Sequence, residues 1–168
     1  MEIGKVSISI LPLALSLWAA GATLADDAAD GEAAYRKGDY QTAVKLLMPL
    51  AQQGNYLAEL WVGVMYLSGH GLPQDKVQAA KWFRASAEQG NLGAQTDIGI
   101  MYATGSGIPR DLLQAYMWFS LAAAQDPTKG AAEYRDHVAS EMAQDQIQQA
   151  QAMAEKCRAA NYKGCDSP

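Results

Sequence analysis

A chain that repeats itself at a fixed step can fold in few ways, and this one repeats at a step of 36 residues. Displaced by that step, Gln53-Gly54-Asn55 falls on Gln89-Gly90-Asn91, and Met65-Tyr66 falls on Met101-Tyr102. Ala58 meets Ala94 and Gly63 meets Gly99. Gly69, Gly71, Pro73 and Asp75 meet Gly105, Gly107, Pro109 and Asp111. Two series run through three copies: Ala43, Ala79 and Ala115, and the pairs Leu46-Leu47, Trp82-Phe83 and Trp118-Phe119. A unit of this length is one supersecondary element that stacks on its neighbours to cover apolar surface it cannot cover alone.

Each unit reads as two helices. The first spans about residues 56–68, with a copy at 92–104. Ala58, Val62, Met65, Tyr66 and Gly69 share one side at helical spacing. The second spans 76–89, with copies at 40–53 and 112–124, and its stripe is Ala79, Trp82, Phe83, Ser86 and Ala87. Asn55 and Asn91 stand where an N-cap belongs. Asp75 and Asp111 precede Gln78 and Gln114 by three residues, the spacing at which a glutamine reaches back to the cap's own N–H. Gly54 and Gly90 suit the left-handed residue that closes a helix. Gly63 and Gly99 leave room for a neighbouring helix to come close.

Composition agrees with helices. The chain holds 31 Ala and 14 Gln against 6 Val and 7 Ile, which disfavours strands. Its net charge of −5 speaks against nucleic acid or an anionic membrane surface as partner, since those require clustered Lys and Arg.

The first 25 residues read as a targeting segment. An apolar run from Val6 to Ala20 follows Lys5; it falls short of the roughly 20 residues that a membrane span needs. Thr23-Leu24-Ala25 ahead of Asp26-Asp27 has the form of a cleavage site. The expectation is a secretory signal peptide over 1–25, cut after Ala25. The product would be periplasmic or secreted, with no stable membrane insertion; an uncleaved anchor is the alternative. Residues 26–39 then form an N-terminal capping helix, 40–125 a repeat solenoid, 126–160 two capping helices and 161–168 a tail. The two C-terminal helices are expected over 129–142 and 145–159, the second opened by Asp145 with Gln148. Export implies an oxidising compartment, so Cys157 and Cys165 are expected to form a disulfide tying the tail to the last helix. Two unpaired thiols are the alternative.

The segments Ala58…Val62-Gly63…Tyr66…Gly69, Ala94…Ile98-Gly99…Tyr102…Gly105 and Ala79…Trp82…Gly90 resemble the Sel-1-like repeat family, relatives of the tetratricopeptide repeat. The family pattern is Ala-x3-Leu-Gly-x-x-Tyr-x-x-Gly, a Gly/Pro/Asp loop, then Ala-x-x-Trp and a closing Gly. Val62 and Ile98 replace the Leu, and Asp126-Pro127 stands where the last unit's closing Gly belongs, which marks a terminal variant. The resemblance covers residues 35–160. It implies an all-α fold: a right-handed α/α superhelical solenoid of about seven or eight helices with terminal capping helices. It also implies a bacterial exported member that binds other proteins or assembles complexes.

No chemistry-bearing motif competes with that reading. Gly69-x-Gly71 and Gly105-x-Gly107 lack the third glycine of a dinucleotide fingerprint, with Gln74 and Arg110 in its place. There is no Gly-x-Ser-x-Gly, Gly-x4-Gly-Lys or His-Glu-x-x-His. No catalytic residue, metal-ligand set or cofactor site is assigned. A Cys–His pair using His137 is a formal alternative, and His70 reads as a solvated loop residue. Tyr66, Tyr102, Trp82, Phe83, Trp118 and Phe119 recur at the repeat period and read as core.

Binding is expected where copies differ on one face of the first helices: Trp61, Val64 and Ser68, against Asp97, Ile100 and Thr104. These six are assigned to a concave protein-binding face, with Trp61 either an anchor for the partner or packed on the preceding helix. The expected function is that of an exported non-catalytic adaptor, scaffold or regulator of an unidentified envelope or host protein. A cell-envelope hydrolase of β-lactam or cell-wall substrates and a self-assembling structural element are the alternatives.

Overall fold

The computed structural model of the chain describes residues 27–128 and 130–165. The leader expected over 1–25, with its cleavage point, lies outside them. Among the described residues eight helices follow one another: α1 over 27–36, α2 (Tyr40–Gln52), α3 (Tyr56–Ser68), α4 (Lys76–Ala87), α5 (Leu92–Thr104), α6 (Leu112–Gln125), α7 (Ala131–Ala139) and α8 (Gln144–Ala159). No strand occurs among the described residues. α2 packs on α3, α3 on α4, α4 on α5 and α5 on α6, while α6 meets both α7 and α8. The result is a stack in which α3, α4, α5 and α6 each lie between predecessor and successor, and α6 carries both α7 and α8.

The caps explain where the helices begin. Asn55 Oδ1 accepts from the N–H groups of Leu57 and Ala58 at 3.1 and 3.0 Å, and Asn91 Oδ1 accepts from Ala94 at 2.9 Å. Asp75 and Asp111 cap α4 and α6 in the same way, accepting from Val77 and Gln78 and from Leu113 and Gln114. The expected glutamine reach-back is absent at these two starts. The cap N–H groups donate instead to Tyr66 and Tyr102 carbonyls of the preceding helices, at 2.9 and 3.0 Å. Gln114 Oε1 is left buried without a partner.

α8 departs from expectation too. Its N-cap is Ala143, whose N–H donates to Gln146 Oε1 at 2.9 Å, so Asp145 sits inside the first turn. α7 is shorter than expected, entered through left-handed Gly130 (φ 77°) and ended at Ala139 by a turn through Ser140.

Close packing of each pair rests on a glycine against a large side chain. A Cβ on Gly63 would lie 2.7 Å from Phe83 Cδ1, and one on Gly99 would lie 2.7 Å from Phe119 Cε1. Gly31 stands in the same relation to Leu47. α1 thus approaches α2 through a contact of the same kind. Phe83, Trp118 and Phe119 are buried in the middle of the stack, whereas Trp82 of the same stripe is half-buried.

The buried side chains of Glu59 and Gln95 find their partners at the repeat period. Gln89 Nε2 donates to Glu59 Oε2 at 2.7 Å, and Gln125 Nε2 donates to Gln95 Oε1 at 2.8 Å. Ser86 Oγ donates to the Tyr56 carbonyl at 2.7 Å. At the C-terminal end Cys157 and Cys165 are joined in a disulfide. Asn161 and Tyr162 adopt left-handed backbone (φ 53° and 64°), held by the disulfide and by the Tyr162 N–H donating to the Cys157 carbonyl at 2.9 Å.

Two predictions follow from this packing. Replacing Gly99 with Ala gains about 1 kcal/mol of helix propensity, but forces a methyl into the ring of a buried residue. The net cost is about 1–2 kcal/mol, read as a fall of several degrees in the midpoint of thermal unfolding; an unchanged or higher midpoint refutes the contact. Unreduced, denatured protein shows no titratable thiol, and Cys165→Ser costs about 2–3 kcal/mol on the chain-entropy account. Two thiols reacting at once contradict the pairing.

Candidate interaction face

Residues three, four and seven apart on a helix share one side. Trp61, Val64 and Ser68 are thus neighbours on α3, as are Asp97, Ile100 and Thr104 on α5. Ser68 and Thr104 are exposed, and the other four are half-buried. Leu60, Val64 and Leu67 of α3 and Ile100 and Ala103 of α5 pack at the edge of one and the same core cluster. Leu60 reaches within 3.5 Å of where a Cβ on Gly93 would stand. The first helices of successive pairs thereby present a joint, largely apolar face.

Trp61 is packed on the preceding helix. Its ring centroid lies 5.2 Å from that of Tyr35, and the Arg36 guanidinium stands 5.6 Å from it. Its indole Nε1 is buried with no hydrogen-bond partner. Part of this residue's surface is therefore spent on α1, as one of the two readings from sequence had it.

Around it lies a cluster that the repeat pattern does not reveal. Tyr40 stacks on His70 at 4.6 Å between centroids, and the Tyr35 hydroxyl lies 3.3 Å from His70 Nδ1 and 3.2 Å from Ser68 Oγ. His70 is exposed but is not the isolated, solvated residue expected. The α1–α2 junction is shorter than the corresponding α3–α4 and α5–α6 loops, so no offset of 36 connects Tyr35 to a counterpart. The sole signal available was two tyrosines flanking a tight turn.

Asp97 takes the place on α5 that Trp61 takes on α3. Its carboxyl has no hydrogen-bond or ion-pair partner among the described residues. Burial alone pushes its pKa up to about 6. Glu59 is raised as well, first by burial, with the Gln89 amide and Lys163 acting in the opposite direction.

Other chemistry finds little support in the geometry. Both sulfurs are consumed in the disulfide, which removes the Cys–His alternative. Among the described residues no three of His, Cys, Asp and Glu stand together as metal ligands. One cavity of about 360 Å³ opens beside the disulfide, near Gln114, Met153, Lys156 and Lys163. A second, of about 310 Å³, lies between α6 and α8 near Tyr116, Arg135 and Arg158. Neither touches the six residues picked from the sequence.

The Asp97 shift fixes the sign of a pH effect. The folded chain keeps the proton up to about pH 6, while the unfolded chain releases it near the ordinary 3.8. Stability therefore falls as pH rises from about 4 to about 6, and stays lower above. Asp97→Asn removes that loss and is expected to be ~1–2 kcal/mol more stable than the parent at pH 7, after discounting for screening on the solvent side. Denaturant unfolding of both proteins at pH 4.5 and pH 7 checks this; equal stability at the two pH values contradicts it.

The geometry has counterparts among known proteins. The Sel1 repeat family model matches residues 57–91 and 93–127. The chain resembles the crystal structure of a protective antigen present in uropathogenic Escherichia coli strains, which displays an SLR fold, with TM-score 0.77 and 29% identity. The match takes in 83% of this chain and 31% of that one. It also resembles a Sel1 repeat protein from Oxalobacter formigenes, with TM-score 0.63 and 30% identity over 68% of this chain and 46% of that one. No curated protein matches the chain. It thus spans less than half the length of either structural relative. Both neighbours carry the same helical stack, and in it α3–α6 of this chain lie in register with the family model: the chain carries two Sel1 repeats.

Proposed function

We propose that the chain is an exported, non-catalytic adaptor that holds one envelope or host protein along the joint face of α3 and α5. Sel1 repeats typically mediate protein–protein interaction. One observation carries the assignment to this face. The fully buried positions of α3 and α5 repeat almost residue for residue, whereas the half-buried side exchanges Trp61 for Asp97. Packing accounts for the repeated side, and recognition accounts for the divergent one. The disulfide supports export, since such bonds persist in oxidising compartments. So does the apolar leader with its small-x-small end, and no described helix is long and apolar enough to cross a membrane.

A photo-crosslinking amino acid placed at exposed Thr104 is expected to trap one protein in the native envelope. The same group at Lys81, exposed on α4, is expected to trap none. Equal labelling from both positions, or from Lys81 alone, overturns the assignment. N-terminal sequencing of protein recovered from the envelope is expected to begin at Asp26; a chain beginning at Met1 contradicts cleavage.

A further inference from the structure

Asp97 is an unfinished interaction. The equivalent Trp61 has Tyr35 and Arg36 of α1 against it, but the carboxylate on α5 has no donor within the described residues. The arginines of the described chain that make charge or ring contacts are engaged elsewhere: Arg36 with Glu32, Arg84 with Tyr102, Arg110 with Glu141 and Arg135 with Asp136. Half-buried Leu60, Val64 and Ile100 belong to the same joint face and are packed on the core cluster beneath it. A desolvated carboxylate among such side chains is unfavourable until a cation meets it, and a charge-assisted hydrogen bond is the strong form of that meeting. Lys and Arg satisfy both halves of the site, since their stems are apolar and their heads are charged. A neutral or acidic side chain leaves the carboxylate buried and unanswered. The net charge of −5 also draws basic segments toward the chain.

We infer that the partner docks a lysine or arginine side chain on Asp97, its stem lying along Leu60, Val64 and Ile100. This rests on the interaction-face reading and adds the chemistry of the partner to it. Asp97 is then the residue that selects the partner, and the cost of keeping it unpaired in the free protein is recovered on binding.

Selection from a random 12-residue peptide display library on the full chain, run in parallel on Asp97→Asn, tests this. The parent is expected to enrich peptides with a Lys or Arg beside apolar residues. The best of them, followed by fluorescence anisotropy, is expected to bind about tenfold or more weakly to Asp97→Asn, and likewise when its basic residue is replaced by glutamine. Unfolding does not explain such a loss, because the variant is expected to be the more stable protein. Peptides that crosslink at Thr104 yet carry no basic residue, or bind the variant equally, overturn the inference and leave the interaction face standing. If no enriched peptide crosslinks at Thr104, both fail.

Discussion

The approach of one helix to the next within each pair depends on a missing methyl group. Gly31, Gly63 and Gly99 let Leu47, Phe83 and Phe119 press against the backbone of the partner helix. Any side chain there pushes the two helices apart, and a packed interior transmits the displacement instead of absorbing it. Because α2 also packs on α3 and α4 on α5, the displacement would carry along the stack. The position of the α3 and α5 faces relative to each other is therefore set from inside, by contacts that never touch a partner.

A second set of interactions fixes the pairs in register. Glu59 with Gln89 and Gln95 with Gln125 are side-chain pairs one repeat apart, each joining a buried acceptor to an exposed glutamine. A buried polar group without its partner is costly, so these pairs favour one alignment of the helices over slipped ones. The first copy uses a carboxylate and the second an amide. The carboxyl of Glu59 is consequently raised by burial even though an amide donor answers it. Asp97 is raised with no such answer. That contrast separates a structural acid from a candidate recognition group.

Much of this was legible in the sequence. The bounds of α3 and α5, the asparagine and aspartate caps, the buried Phe83 and Phe119 and the disulfide all follow from local rules and the step of 36 residues. Where the reading failed, a group found a different partner through the tertiary structure. The Asp75 and Asp111 N–H groups were taken by tyrosine carbonyls, which left Gln78 and Gln114 nothing to reach back to. Ala143 displaced Asp145 as the start of α8, where Gln146 Oε1 accepts from the Ala143 N–H. The aromatic cluster of Tyr35, Tyr40, Trp61 and His70 lies at the irregular first junction, where periodicity carries no information. The pairs Glu59–Gln89 and Gln95–Gln125 were visible in principle as polar positions recurring at the repeat step, but polar residues on a helix look solvated until the neighbour is placed.

The account stands or falls on the glycine contact as the origin of the spacing. The most direct measurement is a double-mutant cycle of Gly99→Ala and Phe119→Ala, followed by denaturant unfolding. Phe119→Ala alone is expected to be strongly destabilising, at about 3–5 kcal/mol. In that background the added methyl meets open space, and Gly99→Ala is expected to be neutral or stabilising. If Gly99→Ala costs as much without the ring as with it, the contact does not set the packing, and the explanation of how the stack presents its outer face is wrong.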